Sequence, residues 1–161
     1  AEANVTMHLA VGLIKRDRFE WLLEKAVECG AASITPLILD RCVKKSLNME
    51  RSQKIVQTAA KQCGRSLFPV LHEPATLENY LENRSGATVC LQSAGEIPLA
   101  IWQRKKSTYE ISVLIGPEGD FSENEKNVME NNNIDIVTLG SRRLRTETAA
   151  ITALNIIEHG G

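Results

Sequence analysis

No stretch of the 161 residues approaches the roughly 18 consecutive apolar residues of a membrane-spanning helix, and no signal-peptide pattern is visible. A broad excess of one charge is missing too: 19 Lys and Arg stand against 20 Asp and Glu, for a formal net charge of −1. A nucleic-acid partner would therefore have to be met by a local basic patch, not by the field of the whole molecule. The four cysteines, Cys29, Cys42, Cys63 and Cys90, are far apart and form no C-x-x-C pair. The histidines, His8, His72 and His159, are scattered. Both patterns speak against a metal site and for reduced, buried thiols in a cytoplasmic protein. No strand-like run opens into G-x-G-x-x-G ahead of a helix, which argues against a dinucleotide-binding Rossmann domain. Internal repeats, low-complexity tracts and a convincing interdomain linker are also lacking. With 43% hydrophobic residues, the chain reads as one compact domain, residues 1–161.

What is present is an alternation of strand-like and helix-like segments. Residues 5–13 read as a strand, followed by the basic turn Lys15-Arg16-Asp17-Arg18, where Asp17 and Glu20 resemble a capping box. Phe19, Leu22, Leu23, Ala26 and Val27 then recur at helical spacing, and Gly30 suits the C′ position that ends the helix. A strand over 34–39, interrupted early by Pro36, leads to a polar loop over 40–48 and a helix over 49–63. Shorter segments follow: a strand over 69–72, a helix over 76–81, a strand over 87–91, a loop over 92–96, and a helical turn over 98–104 with Trp102 facing inward. A polar turn over 105–108 precedes a strand over 111–115, a helix to about Asn131, a strand over 134–139 and a C-terminal helix. In that last helix Ala150, Ile151, Leu154 and Ile157 share one face. The alternation predicts an α/β fold with a mainly parallel sheet and helices on both faces.

The organising stretch is Leu114-Ile115-Gly116-Pro117-Glu118-Gly119-Asp120-Phe121-Ser122-Glu123-Asn124-Glu125. It reads as a strand end, a tight loop whose two glycines bracket Pro117-Glu118, and a helix opened by a Ser122/Glu125 capping box. About 25 residues on, a second strand end opens into Gly140-Ser141-Arg142-Arg143-Leu144-Arg145-Thr146-Glu147-Thr148-Ala149-Ala150 and then the last helix. Loops leaving the C-terminal ends of parallel strands are where open α/β sheets place ligands, so the two together could wall one pocket.

These two stretches carry a resemblance. Ile115 to Gly119 with Phe121, Ser122 and Glu125 is similar to a GPEGGFS-type loop, and Leu139-Gly140, Arg142 and Leu144 to Ala149 to an LGxRILRTETA segment. Both belong to the bacterial 16S ribosomal RNA uridine-N3 methyltransferases of the SPOUT class, and the resemblance runs from about Val5 to the end. It implies a C-terminal trefoil knot, a homodimer, S-adenosylmethionine as methyl donor and small-subunit ribosomal RNA as substrate. It also implies an N-terminal RNA-binding β-barrel domain, which this chain, opening on Ala1-Glu2-Ala3-Asn4 without a methionine, is expected to lack.

For the donor, the resemblance implies an apolar adenine slot walled by Leu91, Ile115, Leu139 and Leu144, with Gly116, Pro117, Gly119, Gly140 and Ser141 bringing backbone close. For the reaction, N3 of uridine must lose its proton. Glu118 or Glu147 could accept it, and Arg145 could stabilise the developing anion. Glu118 could instead only hold the loop backbone, and Glu147 only favour the helix N-terminus. RNA contact falls to Lys15, Arg16 and Arg18, to Arg41 with Lys44 and Lys45, and to Arg142 and Arg143. The chain departs from the family pattern at Asp120, where glycine is usual, and at Arg143, Ser52, Thr58, Lys61 and Cys29, where isoleucine, tryptophan, two glutamates and leucine are usual. Rival readings are a related knotted enzyme acting on another RNA position, such as a transfer-RNA ribose, and a non-catalytic RNA-binding module. Against the ribose reading, Thr146 to Ala149 stands where ribose methylators of the class show an S-L-N-type segment.

Overall fold

The computed structural model describes residues 5–65 and 68–160, so the opening Ala1 to Asn4 lies outside the described residues. Seven strands, β1 (Thr6–Gly12), β2 (Ser33–Leu37), β3 (Val70–Leu71), β4 (Ala87–Leu91), β5 (Ile97–Pro98), β6 (Glu110–Ile115) and β7 (Asp135–Thr138), form one sheet in the order β3-β2-β1-β6-β4-β7-β5. Every pairing between them is parallel. Among the described residues five helices connect strands, α1 (Arg16–Glu28), α2 (Met49–Gln62), α3 (Leu77–Asn83), α4 (Leu99–Lys106) and α5 (Glu123–Asn131), and α6 (Thr146–His159) follows the last strand. The expected α/β class with a parallel sheet is what the chain adopts.

The apolar runs explain the centre of the sheet. β1 and β6 lie side by side, with Leu9 opposite Val113 and Val11 opposite Ile115, all wholly or almost wholly buried. Strands covered on both faces need such uninterrupted apolar sequence. β2 tolerates Pro36 because that residue's carbonyl, and hence its missing N–H, points toward β3, which pairs only with Ser33 and Ile34. The Pro36 carbonyl accepts instead from the amide of Ala75. Among the helices, α1 packs on α2 and α6, and α4 on α6.

Several local expectations change. Asp17 does not cap α1: the N-cap is Lys15, with no side-chain cap bond, and Asp17 sits inside the first turn, where its charge still favours the helix N-terminus. In α6 the buried stripe is Ala150, Ala153, Leu154 and Ile157, with Ile151 only partly covered, because the helix turns 100° per residue and Ala153 lies nearer the sheet-facing line. Cys42 and Cys90 are buried and free, but Cys29 is half-buried and Cys63, at the exposed end of α2, is exposed. α4 runs on to Lys106 and turns at Ser107, in a left-handed conformation. β5 falls in what reads from sequence as loop and helix start. It is a two-residue edge strand, where Pro98 costs no ladder bond.

Candidate active site

In a sheet whose strands are all parallel, every C-terminal strand end lies on the same edge. The order β6-β4-β7 places the loops after β6 and β7 on either side of the end of β4, and a cavity of about 650 Å³ opens between them. Leu91 from β4, Ile115 from β6, and Leu139 and Leu144 from the β7 loop supply its apolar lining, together with Gly116, Pro117 and Gly140. Gln92, Ser93, Thr138 and Thr146 add polar groups, Lys15, Arg18, Arg142, Arg143 and Arg145 add cations, and Glu118 and Asp120 add carboxylates. Two stretches that are well separated in sequence thus meet in one cleft of the size that small-molecule sites have.

The two loops are tied to each other. The Thr146 hydroxyl donates to the Gly116 carbonyl at 2.9 Å, and Thr146 is 5% exposed. The β6 loop contains a turn in which the Asp120 amide donates to the Pro117 carbonyl at 2.9 Å. The residue with a left-handed backbone is Asp120, at φ +65°, and not Gly116 or Gly119. Close packing favours glycine at both positions instead. A Cβ at Gly116 would stand 3.2 Å from the wholly buried Phe121 ring, and one at Gly119 would stand 3.1 Å from the Arg41 side chain. Asp120 therefore occupies a position whose geometry suits glycine. Its one ion pair among the described residues, 3.8 Å to Lys126 at the surface, is worth little. Asp120→Gly is accordingly expected to stabilise the fold by about 0.5–1 kcal/mol, read as a higher urea midpoint at unchanged slope.

Behind the loop, the expected capping box is present. The Ser122 hydroxyl accepts from the Glu125 amide at 3.2 Å, and Glu125 Oε1 accepts from the Ser122 amide at 2.8 Å. Glu125 is buried, and its second oxygen accepts from the Asp40 amide at 2.7 Å, binding the β2 loop to the β6 loop.

Among the expected site residues, Gly119, Ser141, Glu147, Arg16 and Arg41 fall outside the cavity lining. The Gly119 carbonyl accepts from Arg41 Nη1 at 2.9 Å, so Arg41 buttresses the β6 loop from behind. Lys45 donates to the backbone carbonyls of Leu39 and Asp40, and Arg16 lies 3.6 Å from Glu20 on the outer face of α1. Lys15, Arg142, Arg143 and Arg145 are exposed at the rim.

Arg18 differs from the other cations. Its Nε and Nη2 donate to the two oxygens of Glu147, each at 2.7 Å, and its Nη1 donates to Glu118 Oε1 at 3.0 Å. The fork of hydrogen bonds from Arg18 holds the Glu147 carboxyl below the usual carboxylate range, and the same contact raises Arg18. Glu147 side chain is 10% exposed and Arg18 23%, so water screens this pair little. A depressed folded pKa gives stability that is complete above the unfolded value near 4.5 and is lost as pH falls through the folded value. Glu147→Gln is thus expected to cost about 2 kcal/mol at neutral pH, with the gap to the parent closing below about pH 4.5. Urea titrations of both proteins from pH 7 to pH 3 read this directly.

Sequence reasoning missed Gln92, Ser93 and Thr138 as lining residues, since short polar residues after a strand look like any loop. Thr146 lay within the matched segment, but its bond to Gly116 spans 30 residues and leaves no local signal. No group of three or more potential metal ligands occurs among the described residues, and no helix among them is long and apolar enough to cross a membrane.

The profile of a family described as RNA methyltransferase domain matches residues 1–158. The chain belongs to that family. It is 32% identical over 152 residues to the ribosomal RNA small subunit methyltransferase E of Rickettsia conorii, covering 92% of this chain and 62% of that protein. To the enzyme of the same name from Synechocystis it is 31% identical, covering 95% of this chain and 53% of the relative. The chain therefore spans between about half and two-thirds of the length of these relatives. Among solved structures, the ribosomal RNA small subunit methyltransferase E of Neisseria gonorrhoeae, bound to S-adenosyl methionine, superposes with a TM-score of 0.84 at 27% identity, covering 93% of this chain and 64% of that one. A Legionella pneumophila protein solved in complex with SAM superposes equally well, at 0.84 and 33% identity, covering 95% of this chain and 65% of that one.

Proposed function

We propose that this chain is the catalytic domain of an S-adenosylmethionine-dependent methyltransferase that modifies N3 of a uridine in small-subunit ribosomal RNA. The observation that carries the reading is the single cleft at the ends of β4, β6 and β7, apolar within, cationic at the rim and holding Glu118 at its wall. The family membership and the small-subunit methyltransferases among its relatives support the choice of RNA. N3 of uridine follows from the resemblance of the two loop segments. A cytoplasmic homodimer with a trefoil-knotted C-terminal segment belongs to the same reading.

The cleft fits the donor by its chemistry. Leu91, Ile115, Leu139 and Leu144 offer an apolar slot to the adenine, and Gly116 and Gly140 line it without a side chain. When bound, S-adenosylmethionine supplies an already activated sulfonium methyl. What remains for the protein is orientation and one proton. Glu118 is the carboxylate at the cleft wall that can accept the N3 proton, and Arg145, the N-cap residue of α6, can stabilise negative charge on the uracil. Lys15, Arg142 and Arg143 stand where phosphates flanking an unstacked uridine would pass.

The test is methyl transfer to small-subunit ribosomal RNA, both free and assembled, from cells lacking the modification, followed by mass spectrometry of the nucleosides. 3-Methyluridine is the expected product. A ribose-methylated nucleoside would move the chain to the ribose-acting branch, and RNA binding with no donor binding would make it a non-catalytic module.

A further inference from the structure

We propose that Arg18 is a positioning residue: it clamps the turn that carries Glu118 to the first turn of α6 and so holds Glu118 oriented to accept the uridine proton. The inference rests on the reading above. Arg18 is one of the cations that a sequence reading assigns to RNA phosphate. Its surroundings contradict that use. Three of its N–H groups are committed to two carboxylates, at 2.7, 2.7 and 3.0 Å, and the three side chains together carry a charge of −1, the wrong sign for a phosphate contact.

The bonds divide the two glutamates by role. Both oxygens of Glu147 are taken by the guanidinium fork, and Glu147 is 8% exposed on α6, so it is a fixed anion that anchors Arg18. Glu118 gives Arg18 only Oε1, and its Oε2 has no protein partner among the described residues. Glu118 is exposed and lines the cleft. In the reaction the N3–H bond breaks, its electron pair forms the bond to the donor methyl as the methyl–sulfur bond breaks and leaves its pair on sulfur, and the proton goes to Glu118 Oε2. The cluster passes from −1 to neutral. Arg18 comes from α1, Glu118 from the β6 loop and Glu147 from α6, 100 and 129 residues from Arg18, and the Arg18 bonds add to the one from Thr146 to the Gly116 carbonyl that also ties this loop to α6.

Two measurements on the 161-residue protein test this, using Arg18→Gln and Arg18→Lys. Hydrogen exchange reads the turn itself: the Asp120 amide, bonded to the Pro117 carbonyl, should exchange at least tenfold faster in Arg18→Gln. Steady-state methyl transfer should show kcat down by about 100-fold, KM for S-adenosylmethionine within threefold of the parent, and part of the rate restored in Arg18→Lys, which keeps the charge but not the fork. Unchanged exchange at Asp120 would overturn the proposal. So would a loss confined to KM for RNA that deepens with salt, the mark of a phosphate contact. If the parent protein transferred no methyl while Arg18→Gln still loosened the turn, the methyltransferase reading would fail and the clamp would stand.

Discussion

Gly12→Val is expected to destabilise the protein by about 3 kcal/mol and to weaken S-adenosylmethionine binding at least tenfold. Gly12 ends β1, next to the strand β6 that leads into the Pro117 turn. A Cβ there would stand 2.9 Å from both Cδ and the backbone nitrogen of Pro117, and 3.0 Å from Leu39 Cδ1. The leucine could rotate away, but the proline ring and its own backbone cannot. The only relief is to push the Pro117 turn outward, and Pro117 is part of the cleft wall. Alanine already meets this contact, and valine adds two methyl groups to it. Urea unfolding and titration calorimetry on the same preparation separate the two effects. A Gly12→Val protein with the parent's midpoint would mean that the β1 end and the Pro117 turn are not in contact.

The second large effect divides binding from stability. Leu144→Glu should leave stability within about 0.5 kcal/mol, because Leu144 is 37% exposed and its loop contributes little to the core. Donor affinity should fall by about 10–100-fold, about 1.4–2.8 kcal/mol, since an apolar wall of the slot is replaced by a carboxylate that must be desolvated for adenine to enter. Calorimetry reads the affinity, and a melting curve of the free protein checks that the fold persists. Equal losses in both would place Leu144 in the core, contrary to its exposure.

These expectations rest on a cleft whose two loops are plain in the sequence and whose assembly is not. The apolar runs ending at Leu91, Ile115 and Leu139 announce strands, and the Ser122/Glu125 pair announces the helix that follows, because strand burial and capping depend on neighbours a few residues away. The strand order depends on pairings such as Thr6 with Glu110, which no local pattern encodes. β5 escapes notice because two residues, one of them proline, carry no periodicity. The same distance hides the bonds of Arg18, which looks in sequence like one more cation of a basic turn and is, in space, the partner of two acids. Asp120 is the converse case. Against the glycine usual in similar loops it looks like a change of charge beside the donor, whereas its backbone at φ +65° makes it first a change of conformational cost.

Titration calorimetry with S-adenosylmethionine is the most direct test that the β4–β6–β7 cleft is a methyl-donor site. One donor bound per chain, with the heat reduced by Leu144→Glu while that protein stays folded, is the expected result. A well-folded parent protein that gives no heat and no thermal stabilisation at millimolar donor would contradict it.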